Sequence, residues 1–332
     1  MRHLSHLSHF VLTVTSVIAS HAVAQTPPSS SSAFPTKPIS LIVGYTPGGS
    51  VDLAARIIAP ELAKRLGQPV VIDNAAGAGG QIGAQKAALA TPDGHTLLLG
   101  TSAEIAVARL IAPMVKYDGL KDLSALGMIG TQPMVLVGAP QLPYVTTAEL
   151  IAGLKTKPGK LSYGSAGNGS LPHLAGELFK QRSATFVVHI PYRGAVPMIT
   201  DLIGNQVDLG MLVLSSALPQ IKAGKLKAYG VTDAKRVTQL PQVPALAETK
   251  GLETLDIGVF FGLFAPSKTP QAVRDRVAQE LQAVLALPEI QTRLVEAGFT
   301  LRALNAAGAA QYVQNQAALY RTIVESSKIK DE

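Results

Sequence analysis

The sequence contains no cysteine and no tryptophan, and few aromatic residues of any kind. The absence of cysteine excludes disulfides, thiolate metal ligands and a lipid-modified cysteine. A chain of 332 residues can bury a large core without covalent cross-links, which suits a protein of the bacterial periplasm. The sequence also lacks H-E-x-x-H and any close cluster of histidines and carboxylates, so we expect no metal and no cofactor.

Neither positive charge nor hydrophobicity is concentrated in one segment after the N-terminus. The net charge is +7, but Lys and Arg are scattered and aromatic residues make up only 5%, unlike the clustered basic and aromatic surfaces that bind nucleic acid. No run keeps the roughly 18 apolar residues that cross a bilayer. We therefore expect a soluble monomer with no nucleic-acid partner and a mild attraction for small anions.

Residues 1–24 have the composition of a secretory signal peptide. Arg2 and three histidines precede an apolar run over residues 10–19, and residues 22–24 read Ala-Val-Ala, an A-x-A cleavage site. The Pro- and Ser-rich residues 25–36 predict a flexible lead-in. A buried N-terminal helix is the alternative, but the segment has no polar helical face. The sequence therefore predicts export to the periplasm.

From residue 37 onward, short β-branched or Leu-rich runs alternate with amphipathic helical windows, which is typical of an α/β fold with parallel strands. The runs lie at residues 39–43, 70–72, 96–99, 135–137, 186–189 and 207–213. A further strand over 259–264, followed by helical windows at 270–287 and 306–326, would return the chain to its first half. We therefore predict two lobes with a cleft between them, residues 37–130 plus 261–332 and residues 131–260.

Two glycine-rich loops each follow a strand and precede a helix. The first covers residues 44–50 and the second residues 164–170. We expect Ser50 and Ser170 to cap the helices, and Asp52 to favour the positive start of the first one. Glycines at this place let backbone N–H groups approach an anion closely. A plain strand-to-helix turn is the alternative for one such loop, whereas two, one in each lobe, predict an anion held from opposite sides.

Two further loops offer side chains for binding. Residues 100–103 include the hydroxyls of Thr101 and Ser102, and residues 191–194 include Arg193. A guanidinium can pair bidentately with a carboxylate, but a surface Arg paired with a nearby acid is an equal alternative. His173 either donates to the ligand or packs at the start of its helix.

Enzyme motifs are incomplete in this chain. Residues 77–83 resemble a dinucleotide loop, but Ile82 stands where the pattern requires glycine. The nucleophile elbow G-x-S-x-G fails at Ser165, where Tyr163 replaces the first glycine, and at Ser50, where Asp52 replaces the last. An exported serine hydrolase that uses Ser165 and His173 is the alternative function, and an orphan scaffold with an empty cleft is a third.

Taken together, the loops resemble the exported receptors of tripartite tricarboxylate transporters, the Bug family. The resemblance covers nearly all of the mature chain. It rests on YTPGGSVDLAAR (45–56), NAAGAGGQIGAQ (74–85), PDGHTLLLGT (92–101), PGKLSYGSAGNGSLPHLAGELFK (158–180), PYRGAVPMITDLIGNQVDL (191–209) and SALPQIKAGKLKAYGVT (216–232).

The resemblance implies a two-lobed type II periplasmic binding fold with the ligand in the cleft, and a ligand carboxylate held mainly by backbone amides and ordered waters. On that pattern the first lobe contributes Tyr45, Gly48, Gly49, Thr101 and Ser102, and the second Ser165, Ala166, Gly167, Asn168 and His173. The loops themselves add Thr46, Asp52, Ala103 and Arg193 as candidate ligand contacts. Two departures affect specificity: the apolar run 210–214, where the family frequently has an acidic or amide residue, and Glu104 after Thr101.

These features predict a non-enzymatic receptor that captures a small carboxylate for a membrane permease or a sensor. Because the run 211–214 replaces polar residues, we expect a carboxylate with an apolar body rather than an amino acid, provided that part of the run lines the cleft.

Overall fold

The computed structural model describes residues 34–112 and 114–327; the predicted signal peptide and most of the predicted lead-in lie outside this range. The described strands are β1 Ile39–Val43, β2 Val70–Asn74, β3 Thr96–Thr101, β4 Leu123–Gly138, β5 Ser162–Ser165, β6 Val188–Pro191, β7 Leu209–Val213, β8 Lys227–Val231, β9 Gly258–Pro266 and β10 Thr300–Leu301. The α-helices are α1 Ser50–Leu66, α2 Gln81–Ala88, α3 Ala108–Ile111, α4 Thr147–Thr156, α5 Leu171–Ser183, α6 Ala195–Ile203, α7 Leu214–Lys222, α8 Gln271–Leu285, α9 Pro288–Glu296 and α10 Ala306–Ser327.

The chain has a two-lobed α/β fold in which β4 belongs to both lobes. In the first lobe β1 lies parallel to β2 and β3, and β9 is antiparallel to β3 and to the first part of β4. In the second lobe β5 lies parallel to β6 and β7, while β7 and β8 are antiparallel to the end of β4. The pairing partner of β4 changes between Pro133 and Met134, so the strand crosses from one lobe to the other there.

Each lobe is organised around buried strands. All but one residue of β1 is buried, as expected for a central parallel strand with helices on both faces. One hydrophobic cluster fills the first lobe and extends along β4, and a second one in the other lobe contains Val135, Val137, Leu212 and Leu214. None of the described helices is long and apolar enough to span a membrane.

Helix α1 carries the first glycine-rich loop at its N-terminus and contains a proline. A proline in a helical window predicts a kink or a break there, and α1 is not broken: it runs from Ser50 to Leu66 with Pro60 inside it. Proline removes one backbone donor and crowds one carbonyl, at a cost of about 3 kcal/mol. The buried face of α1, including Ile57, Ile58 and Leu62, stabilises the helix beyond its local propensity.

Candidate functional site

A pocket lies between the two lobes and encloses about 30 Å³, enough for roughly one water molecule. The lobes are therefore closed on each other in this structure, and a ligand larger than a water molecule requires them to move apart. None of the lining residues is charged. They are Tyr45, Gly49, Ser50, Val51, Thr101 and Val259 from the first-lobe side, and Ala166, Leu171, Pro172, Ala195, Leu212, Val213 and Ser216 from the second.

The N-terminus of α1 lies at this pocket. Gly49 is the N-cap and has no side chain to accept a hydrogen bond, so the prediction that Ser50 caps the helix was wrong. Ser50 is instead the first helical residue and lines the pocket with Val51. Because the first N–H groups of a helix have no acceptor within the helix, they are available to an anion, and the helix dipole favours negative charge there.

Helix α6 presents a second uncapped N-terminus from the other lobe. Its N-cap is Gly194, again without a side-chain hydrogen bond, and its first residue Ala195 lines the pocket. The N-terminus of helix α5 also lies at the pocket, but it is capped as predicted, because Ser170 Oγ accepts a hydrogen bond from His173 N at 3.3 Å. Helices α1 and α6 therefore bring one uncapped N-terminus from each lobe to the pocket, whereas the N-terminus of α5 is capped.

Asp52 shapes the first loop instead of facing the pocket. Its carboxylate accepts hydrogen bonds from Gly48 N at 2.8 Å, from Arg56 Nε at 2.7 Å and from Asn74 Nδ2 at 3.1 Å. Burial opposes ionisation of this group, but these hydrogen bonds outweigh it and lower the pKa of Asp52. The carboxylate is thus ionised and holds the glycine loop against α1.

The polar wall of the first lobe is made by Tyr45 and Thr101, and both contact a carboxyl group behind them. Glu104 is fully buried; its Oε2 accepts from Thr101 Oγ1 at 2.6 Å and from Tyr45 Oη at 3.3 Å. Thr101 N donates to Glu104 Oε1 at 2.6 Å. Burial raises the pKa of Glu104 to about 7, although these hydrogen bonds lower it, and burial together with Glu104 raises the pKa of Tyr45.

The second glycine loop is fixed by a buried serine and two histidines. Ser165 Oγ lies 2.7 Å from His189 Nε2 and 3.2 Å from Gly167 N, and Gly169 N donates to His173 Nδ1. The rings of His173 and His189 are stacked 4.1 Å apart. Burial, with smaller contributions from His173 and Lys180, lowers the pKa of His189 to about 3, so its imidazole is neutral.

This arrangement corrects the hydrolase alternative. The histidine hydrogen-bonded to Ser165 Oγ is His189, not the predicted His173, and Ser165 has no exposed surface. Ser165 and Gly167 do not line the pocket, whereas the adjacent Ala166 does. The serine and histidines therefore position the loop backbone.

The lobes touch through a glycine turn that the sequence analysis did not assign to the site. A Cβ on Gly79 would lie 2.5 Å from Asn168 O and 3.0 Å from Ser170 N, on the other lobe. Gly79 has φ +59, and its carbonyl accepts from Tyr45 Oη at 2.8 Å. The signal available in the sequence was the three glycines in residues 77–80. All three adopt positive φ in the structure, and such a turn allows another backbone to approach closely.

Other predicted residues lie at the margin of the site. Ser102 Oγ accepts from Phe260 N at 2.9 Å and joins β3 to β9, and the buried Ala103 follows it. Thr46 Oγ1 is buried beside Gly194 without a hydrogen-bond partner. Arg193 is exposed and does not line the pocket.

The far side of the pocket is apolar, as the run 211–214 predicted in part. Leu212 and Val213 line it, while Met211 and Leu214 are buried in the two cores. The hydroxyl Oγ of Ser216 is buried without a partner and also borders an open groove of about 720 Å³ that carries Arg56 and Lys225. Ser216 thus lies between the pocket and this groove, in which Arg56 is paired with Asp52.

Comparisons with known proteins agree with this architecture. Residues 54–329 match the family model described as "Tripartite tricarboxylate transporter family receptor". Protein BugT of Bordetella pertussis is 39% identical over 243 residues, covering 73% of this chain and 74% of BugT. Two solved structures share the fold: MatC from Rhodopseudomonas palustris with bound malate (29% identity, TM-score 0.84, 88% of this chain and 100% of MatC) and an R. palustris protein with adipate (30%, 0.86, 90% and 99%).

Proposed function

Because this chain belongs to the receptor family of the tripartite tricarboxylate transporters, we propose that its pocket captures a small carboxylate and releases it unchanged to a membrane partner. The chain is a solute-binding protein by its family and its fold. The finer assignment to a carboxylate rests on one observation: an uncapped helix N-terminus from each lobe, α1 and α6, lines a pocket without charged residues.

Backbone donors provide the charge complementarity that the side chains lack. Helix ends carry roughly half a positive charge each, and a carboxylate between two of them is stabilised without any buried counter-ion. Thr101 and Tyr45 also line the first-lobe wall, but in this structure their hydroxyl groups donate to Glu104 and to Gly79 O, so the backbone donors carry the preference. This arrangement favours an anion with oxygen acceptors over a neutral or cationic solute.

The remainder of the ligand should be apolar. The apolar side chains of Leu171, Leu212, Val213 and Val259 also line the pocket. Each buried CH₂ group contributes about 0.8 kcal/mol, whereas a buried ammonium without a partner costs several kcal/mol. We therefore propose a carboxylate with an aliphatic or aromatic body, for which the malate and adipate of the two R. palustris relatives are reference compounds.

The cellular role follows from the same assignment. A signal peptide over residues 1–24 places the receptor in the periplasm, where it acts as a monomer and docks on permease subunits of a tripartite tricarboxylate-type transporter. A membrane sensor is the alternative partner, and the closed state recognised by either one carries the bound carboxylate.

The proposal is tested by thermal unfolding of the ligand-stripped mature protein with a panel of malate, adipate, benzoate, octanoate and glutamate. A compound present at 100 times its Kd stabilises the folded state by about 2.7 kcal/mol. We expect stabilisation by adipate, benzoate or octanoate, little effect of glutamate, and none from adipamide or benzamide, the matched compounds without charge. Stabilisation by the amides but not the acids would refute an anion site.

A further inference from the structure

Glu104 is a carboxyl group set directly behind the polar wall of the pocket. Its Oε2 accepts from Thr101 Oγ1 at 2.6 Å and from Tyr45 Oη at 3.3 Å, and both of these residues line the pocket. A Cβ on Gly80 would lie 2.9 Å from the same oxygen, so the glycine turn encloses the carboxyl group from the other side. Glu104 itself is completely buried and does not line the pocket.

No basic group among residues 34–112 and 114–327 forms an ion pair with Glu104. The titratable groups that face it are Tyr45 and Tyr117, whose Oη donates to Glu104 O at 2.8 Å. The basic and phenolic groups on the helices packed against this segment have other partners: Lys86 with Asp73, Arg109 with Asp118, Tyr312 with Arg302 and Tyr320 with Gly258 O. When Glu104 is ionised, its negative charge is therefore stabilised by hydrogen bonds but not by an ion pair among the described residues.

We propose that Glu104 is a positioning residue that takes up a proton when a carboxylate enters the pocket, so that anion capture is coupled to protonation of this side chain. The inference rests on the proposed function. One reason is charge: a ligand carboxylate hydrogen-bonded to Thr101 would be separated from Glu104 by a single hydroxyl group, or roughly 5–6 Å from hydrogen-bond lengths.

The second reason is the direction of the hydrogen bonds. An ionised Glu104 only accepts, so it holds the hydroxyl proton of Thr101 and directs it away from the pocket. A protonated Glu104 can donate to Thr101 Oγ1, which frees the hydroxyl proton of Thr101 for the ligand. Protonation therefore removes a repulsive charge and provides a donor at the same place.

The coupling has a measurable size. Two unit charges that far apart at an effective dielectric constant of about 20 weaken binding by roughly 100-fold when Glu104 is ionised. Because burial raises the pKa of Glu104 to about 7, the free receptor loses this proton in an accessible range. Affinity for a carboxylate should fall by up to tenfold per pH unit above 7, where ordinary ligand carboxylates are already fully ionised.

The test is calorimetry with malate, adipate, benzoate and octanoate at pH 6 to 9, each in two buffers with different ionisation enthalpies. For the compound that binds, we expect uptake of about 0.5–1 proton per ligand at pH 7.5. Glu104→Gln imitates the protonated acid, so this variant should take up no proton and keep at pH 9 the affinity that the wild type has at pH 6. Tyr117→Phe, the matched control, should keep the pH dependence.

If the wild-type affinity does not change between pH 7 and 9 and no proton is taken up, the coupling is wrong, but the proposed carboxylate receptor is not contradicted. If a folded Glu104→Gln variant still takes up a proton on binding, another group is responsible for the uptake and the proposal is also wrong. Failure of all four compounds to bind at any pH would contradict the proposed function and the coupling together. The buffer comparison uses the wild-type protein, so the coupling is decided even if the variant does not fold.

Discussion

Placing a carboxylate at residue 49 should abolish anion binding while leaving the protein at least as stable. Gly49 has φ −79 and ψ 175, which any residue adopts, and a Cβ there meets only Thr46 O, at 3.5 Å. In Gly49→Asp the new side chain can accept hydrogen bonds from the first N–H groups of α1 and complement the helix dipole. Helix capping and reduced flexibility of the unfolded chain should raise the free energy of unfolding by up to about 1 kcal/mol.

The effect on binding has the opposite sign. The introduced carboxylate occupies the donors intended for the ligand and lies about 5 Å from the ligand's own carboxylate, which costs about 3 kcal/mol at an effective dielectric constant of 20. Affinity should fall by more than about 100-fold. Calorimetry with the best-binding compound of the panel gives this number, and a thermal unfolding curve gives the stability.

Two control variants separate the effect of capping the N–H groups from the effect of the added charge and its position. Gly49→Asn caps the same N–H groups without adding charge. Its affinity for the carboxylate should lie between the affinities of the wild type and of Gly49→Asp. Pro270→Asp adds the same charge at the N-cap of α8, on an exposed residue outside the pocket, and should bind normally. If Gly49→Asp binds the carboxylate with wild-type affinity, the N-terminus of α1 is not the anion site and the reasoning fails.

Gly79→Ala should impede closure, because the added Cβ would lie 2.5 Å from Asn168 O across the cleft; X-ray scattering with saturating ligand should show less compaction than for the wild type. Arg193→Ala should change affinity by less than about fivefold, since the side chain is exposed outside the pocket, and complete loss of binding would make it an anchor. Ser165→Ala should hydrolyse p-nitrophenyl acetate at the same background rate as the wild type; a lower rate in the variant would support the hydrolase alternative. In the ligand-free protein, burial raises the pKa of Glu104 from 4.5 to about 7, so only the folded state holds that proton between these values. Stability relative to Glu104→Gln should therefore fall by about 3 kcal/mol as pH rises from 4.5 to 7, and a pH-independent difference would contradict the burial argument.

The α/β fold and the glycine loops were predictable because their signals are local. Alternating apolar runs and helical windows predicted β1, β2, β3, β6, β7 and β9, and helices α8 and α10, to within a few residues, and Ser170 was correctly identified as a cap. The choice between Gly49 and Ser50 was not local. Serine is the better cap in isolation, but after the turn in which Gly49 N donates to Thr46 O the helix starts one residue earlier than a Ser50 cap requires.

The partner of Ser165 could not be predicted, because it depends on strand register. Tyr163 of β5 lies opposite His189 of β6, and this parallel pairing brings a residue 24 positions away to Ser165 Oγ. Sequence proximity instead suggested His173. The length of β4 was missed for a similar reason: its residues 123–133 pair with β9, more than a hundred residues later, and carry no strong period of their own.

Backbone recognition explains why this site is easier to identify than its ligand. The N–H groups of α1 and α6 exist whatever the side chains are, and they need only Gly49 and Gly194 to stay uncovered. Substitutions at Leu212 or Val213 can therefore change the body of the ligand without altering the hold on its carboxylate. Specificity and anion binding are then separable free energies, set by different residues in different parts of the pocket. A resemblance carried by glycine loops accordingly predicts the anion site proposed for this chain, while the rest of the ligand has to be determined for each chain.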